Sequence, residues 1–269
     1  MHPSYPERIV CLTEETTETL YLLGEEERIA GISGFTVRPP RARREKPRVS
    51  AFTSANIEKI LQLNPDLIIG FSDLQADIAA ELIKAGKTVW VLNQRSVEEI
   101  LSMILSLSAM VGASDRGDAL VGELSQKIQQ AQSAISQPIP KVYFEEWDDP
   151  MISAIKWVSE LIGIAGGTDC FAELGQMPHG KDRIIANPEA VIERNPDIII
   201  GSWCGKKFRP EKVAARAGWQ NINAVRNEQL FEIKSPIILQ PGPAAILDGL
   251  DELSSIINQW KDQQTHPLY

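Results

Sequence analysis

Residues 54–70 read SANIEKILQLNPDLIIG, and residues 185–201 read IANPEAVIERNPDIIIG. The second stretch repeats the first at a constant offset of 131 residues. Self-similarity at a fixed distance predicts that the chain consists of two halves with one design. Nine of the 17 positions are identical, namely Ala55/Ala186, Asn56/Asn187, Glu58/Glu189, Asn64/Asn195, Pro65/Pro196, Asp66/Asp197, Ile68/Ile199, Ile69/Ile200 and Gly70/Gly201.

Each copy predicts a helix followed by a buried strand. Asn56 and Asn187 can cap the helix by accepting from its free N–H groups, and Pro188 suits a first helical position. The helix must end before Pro65 and Pro196, because the residue before a proline leaves the α region. The short apolar run that follows is typical of a strand buried on both faces in a parallel sheet. In open α/β sheets, ligands bind beyond the carboxyl ends of such strands. Here those positions hold Phe71-Ser72-Asp73 and Ser202-Trp203-Cys204.

The net charge of −9 over 269 residues argues against nucleic acid as a main partner, because phosphate binding needs clustered Lys and Arg. One basic cluster lies in a Pro-rich stretch, 34–53, that is predicted to be a loop. We interpret the cluster as a solvated loop, and the alternative is that it holds an anionic ligand. Its members are Arg38, Arg41, Arg43, Arg44, Lys46 and Arg48.

No apolar run is long enough for a transmembrane helix. The first ten residues, MHPSYPERIV, contain no apolar signal region. The sequence as written therefore predicts a cytoplasmic protein, and a periplasmic or cell-surface one if a signal has been removed. Cys11, Cys170 and Cys204 are widely spaced, so neither a disulfide framework nor a CxxC metal site is expected.

The remaining elements complete an α/β pattern in both halves. A first helix capped by Thr16 or Thr17 and a helix from about Met151 to Ile164 are expected. After a break at Gly112, apolar residues at helical spacing predict a connecting helix of about 20 residues. The predicted domains are an N-terminal α/β lobe at 1–112, a connecting helix at 113–137 and a C-terminal α/β lobe at 138–269. Further strands are predicted at 8–12, 28–32, 87–92, 141–145 and 229–233.

Four stretches together resemble the substrate-binding proteins of ABC importers for cobalamin and iron chelates, the helical-backbone metal-receptor superfamily. The similarity extends over nearly the whole chain, and it is strongest to the cobalamin-binding members. It implies a class III periplasmic-binding-protein fold, with two α/β lobes on central parallel sheets, one long backbone helix and a ligand held in the cleft. The stretches are PERIVCLTEETTETLYLLG, NIEKILQLNPDLIIG, GWQNINAVRNEQLFEI and PGPAAILDGLDELSSI.

The resemblance also implies a docking role for two glutamates. Each lobe of such receptors carries an exposed glutamate that docks on arginines of the membrane permease, and Glu58 and Glu189 match those positions. The alternative interpretation is that both carboxylates only complement the helix dipole.

Ligand contacts carry over from the family at the strand ends. Phe52 and Phe71 match its first-lobe aromatics, and Trp147 and Trp203 follow strands of the second half. Indole faces suit a flat, largely apolar macrocycle. Trp203→Ala is therefore expected to weaken ligand binding and to leave the fold intact. Fixed polar contacts are expected from Glu146, Arg183 and Lys206.

The loop EEWDDP, 145–150, departs from the family pattern. Its carboxylates could contact a cationic or amide-rich ligand or a hard metal. The alternative is a helix N-terminus with Asp149 as cap and Pro150 at the first helical position. Salt bridges are a further possibility, to Arg183, Lys206, Lys207 or Arg209.

The sequence predicts a monomeric, non-enzymatic binder of a metal chelate, with no intrinsic cofactor and no metal site of its own. A corrinoid is the first expectation, and a ferric siderophore or haem is the next. Three histidines, His2, His179 and His266, are too few for a bare-metal site. His179 could still be an axial ligand to a metallocorrinoid or haem. Two alternatives stay open: an intracellular carrier or sensor, and a cleft enzyme with Cys204 as nucleophile and His179 as base.

Overall fold

The computed structural model describes residues 5–265 of the chain, so His2 and His266 lie outside it. The chain divides into two compact units. Unit 1 comprises Met1–Gln94 and Glu98–Leu124, and unit 2 comprises Arg95–Val97 and Ser125–Tyr269. The boundary between Leu124 and Ser125 falls inside one 20-residue helix, Ser114–Ser133.

Unit 1 is built on a five-stranded parallel sheet with the strand order β3-β2-β1-β4-β5. Strand order reverses between β1 and β4, so their carboxyl ends border the crevice in which open α/β sheets bind ligands. Its elements are β1 (Ile9–Cys11), α1 (Glu14–Leu22), β2 (Ile29–Ser33), α2 (Ala42–Glu45), β3 (Arg48–Ser50), α3 (Ile57–Gln62), β4 (Leu67–Phe71), α4 (Ala76–Lys84), β5 (Val89–Leu92), α5 (Val97–Met110) and the start of α6 (Ser114–Ser133).

Unit 2 contains a second sheet with the order β10-β9-β6-β7, and β8 also pairs with β6. Strands β8, β9 and β10 are parallel in this sheet, whereas β7 runs antiparallel to β6. Its elements are β6 (Lys141–Asp148), β7 (Met151–Ser153), α7 (Lys156–Ile164), β8 (Thr168–Asp169), α8 (Ala172–Gly175), α9 (Glu189–Arg194), β9 (Ile198–Gly201), α10 (Pro210–Ala214), α11 (Asn223–Arg226), β10 (Leu230–Glu232), α12 (Ser235–Ile238) and α13 (Leu250–Thr265).

The two repeat copies fold alike, and the shared Asn-Pro-Asp sequence explains much of this. Asn64 and Asn195 both have φ of 45°, in the left-handed region that ends a helix and that asparagine tolerates. Asp66 accepts a hydrogen bond from the backbone N–H of Arg8, just before β1, at 3.0 Å. Asp197 accepts one from the N–H of Lys141, the first residue of β6, at 2.9 Å. Each aspartate therefore ties the repeat to the first strand of its own half.

The glycine that ends each copy leaves room for a side chain. A Cβ on Gly201 would lie 1.9 Å from the Phe208 ring, and a Cβ on Gly70 would lie 3.0 Å from Oε1 of Gln75. Because glycine has no Cβ, the residues that follow the strand fold back over its end. Phe208 is buried in this position and makes an edge-to-face contact with Trp203, with ring centroids 5.0 Å apart.

The sequence correctly predicts the cap of the first repeat helix, since Asn56 accepts from the N–H of Lys59 at 2.8 Å. In the second copy the Asn187 side chain accepts from the N–H of Glu189 at 3.0 Å, but Pro188 is the N-cap and the helix begins only at Glu189. The prediction for α1 is wrong. The helix starts at Glu14 after Thr13, so Thr16 and Thr17 lie inside it. Their hydroxyls donate back to the Thr13 carbonyl instead of capping. Stretch 34–53 is also not a plain loop, because it contains α2 and the short edge strand β3.

The acidic stretch 145–150 is neither a loop nor a helix start. Residues up to Asp148 continue β6, a turn follows at Asp149 and Pro150, and Met151–Ser153 returns as β7. Asp149 and Pro150 therefore do not cap a helix, and α7 begins only at Lys156. The hairpin prevails because its buried carboxylate and its apolar side chains all find partners in unit 2, as described next.

Candidate functional site

The carboxyl ends of β6 and β9 lie side by side in unit 2, since Glu145 pairs with Gly201 in parallel register. The residues that continue from these two strands therefore share one edge of the sheet. Trp147 lies on the extension of β6, and Trp203 lies two residues after the end of β9. This is the edge at which the sequence predicted ligand contacts.

Lys206 joins the two tryptophans. Its ammonium nitrogen lies 4.0 Å from the Trp147 ring centroid and 5.2 Å from that of Trp203. The same ammonium forms an ion pair with Asp148. A cation placed over an indole face is attracted by the ring quadrupole. The structure thus brings together three of the predicted contact residues, and it adds Asp148 to them.

The two indoles differ in exposure. Trp147 is half-buried and donates its Nε1–H to the carbonyl oxygen of Asp149 at 2.9 Å. Trp203 is only 4% exposed and packs in the core of unit 2. Its Nε1–H donates to Oε1 of Glu145 at 3.0 Å. Trp147 is therefore partly accessible beside Lys206, whereas Trp203 is buried and packs below the edge.

Glu145 is a fully buried carboxylate with several donors around it. Besides the Trp203 indole it accepts from the Tyr143 hydroxyl at 2.8 Å and from both terminal nitrogens of Arg216. Burial, together with the neighbouring Glu145 carboxylate, raises the pKa of Tyr143 well above its usual value. Burial disfavours charge on Arg216, but hydrogen bonds and attraction from Glu145 outweigh it and raise the pKa of the guanidinium. Arg216 was not predicted as part of this edge.

Arg183 and Glu146, both predicted ligand contacts, bind each other. Nη1 of Arg183 donates to Oε2 of Glu146 at 2.6 Å, and Nη2 donates to Oε1 at 3.2 Å. The Arg183 side chain is 2% exposed and also donates to the carbonyl oxygen of Ser153. The predicted salt bridges from the acidic stretch to Arg183 and to Lys206 are both present.

Unit 1 places the predicted aromatics Phe52 and Phe71 around one glutamine. The Gln75 side chain donates to the Phe52 carbonyl oxygen at 2.8 Å and accepts from the Phe71 N–H at 2.9 Å. Phe52 is half-buried, whereas Phe71 is 5% exposed. Of this pair, Phe52 offers the more accessible ring.

Two exposed apolar residues at the same edge of unit 1 were not predicted. Phe35 follows β2 and is 56% exposed, and Leu74 follows β4 and is 55% exposed. Both stand beyond the carboxyl ends of parallel strands, where ligands bind in open α/β sheets. The rule that pointed to Phe71 and Trp203 would have found Leu74 as well. The same rule applies to Phe35, because it follows the strand predicted at 28–32.

Three buried carboxylates on α1, Glu14, Glu15 and Glu18, also follow β1 directly and were not predicted. Glu18 pairs with Arg38, with Nε and Oε1 2.7 Å apart, and Glu15 accepts from the Thr13 hydroxyl at 2.6 Å. Burial, and to a smaller extent the neighbouring carboxylates, raises the pKa of Glu14 to about 8. Burial likewise raises the pKa of Glu15 to about 7. Both groups can therefore hold a proton near neutral pH.

The remaining candidates are exposed. Glu58 and Glu189 lie in the first turns of α3 and α9, and both face solvent. His179 and Cys204, the pair of the enzyme alternative, are exposed residues of unit 2. Within residues 5–265, no group of three or more His, Cys, Asp or Glu side chains could hold a metal ion. In that same range, no helix combines the length and the apolar character that a membrane crossing requires.

Comparison with known proteins identifies relatives over nearly the whole chain. The sequence profile of the periplasmic binding protein family matches residues 9–237. The vitamin B12-binding protein of Vibrio cholerae is 28% identical over 265 residues, which cover 95% of this chain and 90% of that protein. An uncharacterized ABC transporter substrate-binding lipoprotein of Bacillus subtilis, YvrC, is 26% identical over 263 residues, which cover 94% and 80%.

Solved structures agree on the fold. The periplasmic vitamin B12-binding protein BtuF of Vibrio cholerae matches with a TM-score of 0.76 at 24% identity, covering 97% of this chain and 100% of that one. The periplasmic heme-binding protein RhuT from Roseiflexus sp. RS-1 matches with a TM-score of 0.79 at 23% identity, covering 97% and 99%. The predicted α/β fold of class III periplasmic binding proteins is thereby confirmed, and so is the resemblance noted in the sequence.

Proposed function

Because the chain belongs to the periplasmic binding protein family, we propose that it is a non-enzymatic receptor for a metal chelate that serves an ABC importer. The favoured ligand is a corrinoid, and a ferric siderophore or haem is the next candidate. The division into a lobe at 1–112, a connecting helix at 113–137 and a lobe at 138–269 is part of this proposal.

One observation carries the choice of ligand class. The similarity to the vitamin B12-binding protein of Vibrio cholerae extends over 95% of this chain, so it includes both halves and not a shared segment alone. A corrinoid is also the ligand that an accessible indole suits best, because its macrocycle is broad and largely apolar. The same face can accept haem, which the test below distinguishes.

Within this proposal the predicted contact residues have two roles. Phe52, Trp147 and Lys206 have accessible surface and contact the ligand directly. Phe35 and Leu74 extend the apolar surface of unit 1. Burial of such side chains against a ligand supplies most of the affinity, at about 25 cal/mol per Å² of apolar surface. Three buried members of the predicted set hold these residues in place, namely Phe71, Arg183 and Trp203. Glu146, whose side chain is 24% exposed, is the ion-pair partner of Arg183.

The ligand is identified by titration of tryptophan fluorescence with aquocobalamin, cobinamide, ferrichrome and haemin, with inner-filter controls. Saturable quenching by a corrinoid is the expected result. Trp147→Ala should weaken binding about tenfold or more, because truncation of a central aromatic contact costs about 2 kcal/mol. Trp90→Ala is the matched control, since Trp90 is a half-buried indole of β5 in unit 1. Quenching by haemin or ferrichrome alone would show that the ligand is haem or a ferric siderophore and not a corrinoid. No response to any of the four compounds would refute the receptor role.

We further propose that Glu58 and Glu189 dock on cationic groups of the permease. Both carboxylates are exposed at equivalent positions of the two repeat copies. The double variant Glu58→Ala with Glu189→Ala should keep full ligand affinity and lose binding to right-side-out membrane vesicles of the source organism that contain the permease. The matched control replaces the exposed Glu81 and Glu193. A loss of ligand affinity in the first variant, or equal vesicle binding by both, would refute docking.

The relatives also bear on location. BtuF is described as periplasmic and YvrC as a lipoprotein. We therefore propose that this protein works outside the cytoplasmic membrane, in place of the cytoplasmic location that the sequence as written predicts. Fractionation of cells that express the native gene tests this, and recovery in the cytosolic fraction would contradict it.

A further inference from the structure

The basic cluster between Arg38 and Arg48 divides into two groups in the structure. Arg38 and Arg41 are ion-paired, with Glu18 and with Glu26 respectively, at 2.7 Å in both cases. The other four cations have no ion pair with any residue in the described range 5–265. They are called the basic patch here and comprise Arg43, Arg44, Lys46 and Arg48.

The packing of α2 explains this separation. Ala42 is fully buried, and the Tyr21 hydroxyl of α1 donates to Oε2 of Glu45 at 2.8 Å. The Arg41 guanidinium lies 4.6 Å from the Tyr21 ring centroid. The helix therefore uses its one acidic side chain and Arg41 against α1, and it leaves Arg43 and Arg44 exposed. The result is a concentration of positive charge on a protein whose net charge is −9, although Glu14 interacts with Arg43 and Glu26 with Lys46.

The patch continues toward α3. Arg48 is the exposed first residue of the edge strand β3, and its carbonyl oxygen accepts from Nζ of the exposed Lys59 at 2.8 Å. Lys59 is the neighbour of Glu58, the proposed docking residue. A cation on an edge strand also prevents pairing with other strands, which is a sufficient reason for Arg48. It does not account for Arg43 and Arg44, which lie on a helix.

We propose that the basic patch binds an anionic membrane surface and orients unit 1 on it. This inference rests on the proposed function, which places the protein beside a permease, since residues that flank Glu58 would then face the lipid around that permease. Nucleic acid would meet the same cations but is not a partner of an importer receptor. Each cation close to an anionic surface raises the partition coefficient about fivefold.

The test is co-sedimentation with vesicles of phosphatidylglycerol and phosphatidylcholine at equal amounts, compared with phosphatidylcholine alone. The wild-type protein should bind only the anionic vesicles at 20 mM salt and should be released at about 500 mM, where the Debye length falls below about 5 Å. The variant with Arg43, Arg44, Lys46 and Arg48 all changed to Gln should lose about a hundredfold or more of this binding.

The matched control changes four exposed cations elsewhere to Gln and alters the net charge equally. These are Lys84, Lys181, Lys212 and Arg226. It should bind as the wild type does, and circular dichroism checks that both variants are folded. No binding of the wild type to anionic vesicles at 20 mM salt, equal loss in both variants, or binding to a polyglutamate peptide or DNA instead would overturn the proposal. Ligand titration of the same proteins tests the receptor role separately, so the two failures are distinguishable.

Discussion

Arg216 and Glu145 form a bidentate ion pair in the interior of unit 2. Nη1 lies 2.5 Å from Oε2 and Nη2 lies 2.9 Å from Oε1. The Glu145 side chain is fully buried, and that of Arg216 is 21% exposed. Because the same carboxylate also accepts from Tyr143 and Trp203, it links β6 to the residues that follow β9 and α10.

Arg216→Met should destabilise the protein by about 3–5 kcal/mol, since it leaves a buried carboxylate without its counter-ion. Urea unfolding followed by circular dichroism measures the change. The double variant Arg216→Met with Glu145→Gln should recover part of the loss, because no buried charge is then left unpaired. Arg226→Met, at an exposed position, should stay within about 0.5 kcal/mol of the wild type. Equal stability of the two arginine variants would contradict this account.

Gly201→Ala should destabilise by about 1–3 kcal/mol, because the added methyl group would overlap the Phe208 ring. Gly163→Ala is the matched control. A Cβ there meets nothing within 4 Å, and Gly163 lies inside α7, where alanine is the better helix former. The midpoint of thermal unfolding should thus fall for Gly201→Ala and rise slightly for Gly163→Ala. If Gly201→Ala unfolds at the same temperature as the wild type, the Phe208 ring is not fixed against the end of β9.

The parts of the fold that local sequence encodes were predictable. Asn56 caps its helix, and Asn187 accepts from the first N–H of the equivalent helix, because these contacts lie within a few residues in sequence. The parallel strands follow from apolar runs that end at glycine. The docking role of Glu58 and Glu189 is what the family resemblance implies, and the repeat shows only that the two positions are equivalent. These signals need no knowledge of distant contacts.

The remainder of the edge depends on contacts that are distant in sequence. Glu145 and Arg216 are 71 residues apart, and nothing near either one indicates the pair. The same applies to the acidic stretch, where a Pro after two aspartates fits a helix start as well as a hairpin turn. The contacts of Glu145 with Tyr143, Trp203 and Arg216 favour the hairpin over the helix start. Trp203 was expected to be accessible because of its strand-end position, and only packing shows that it is buried.

Trp203→Ala should therefore unfold or strongly destabilise unit 2, by about 3–5 kcal/mol, as other large core truncations do. This replaces the expectation that the fold would stay intact. Trp147→Ala should cost much less stability, because that indole is half-buried. Urea unfolding of the two variants gives the comparison. Similar losses for both would mean that the two indoles are packed alike.

Stability should fall as pH rises from about 4.5 to 8. Burial raises the pKa of Glu14 to about 8 and of Glu15 to about 7 in the folded protein, whereas the ordinary value is 4.5. The folded state therefore binds more protons in this window, and stability decreases with pH wherever that holds. Carboxylates whose pKa is lowered by folding, such as Glu26, affect stability only at lower pH, where they become protonated. Glu15→Gln should gain on the order of 1 kcal/mol or more at pH 8 relative to pH 5.

The pH series is measured by urea unfolding between pH 5 and pH 8.5. Glu27→Gln is the control, because Glu27 is exposed. It should follow the wild-type curve, while Glu15→Gln gives a flatter one. A wild-type stability that rises through this window, or equal slopes for all three proteins, would show that the α1 carboxylates are not buried as the structure places them.

One thiol should react much faster than the other two. Cys11 and Cys170 have pKa values raised to about 12, in both cases chiefly by burial, so little thiolate forms near neutral pH. Cys204 is exposed, and thiolate is the reactive form. Ellman's reagent should therefore label one cysteine rapidly in the native protein and three in urea. Cys204→Ser should abolish the rapid phase and leave ligand binding nearly unchanged. Loss of a measurable catalytic turnover in that variant would instead favour the enzyme alternative, in which Cys204 is the nucleophile.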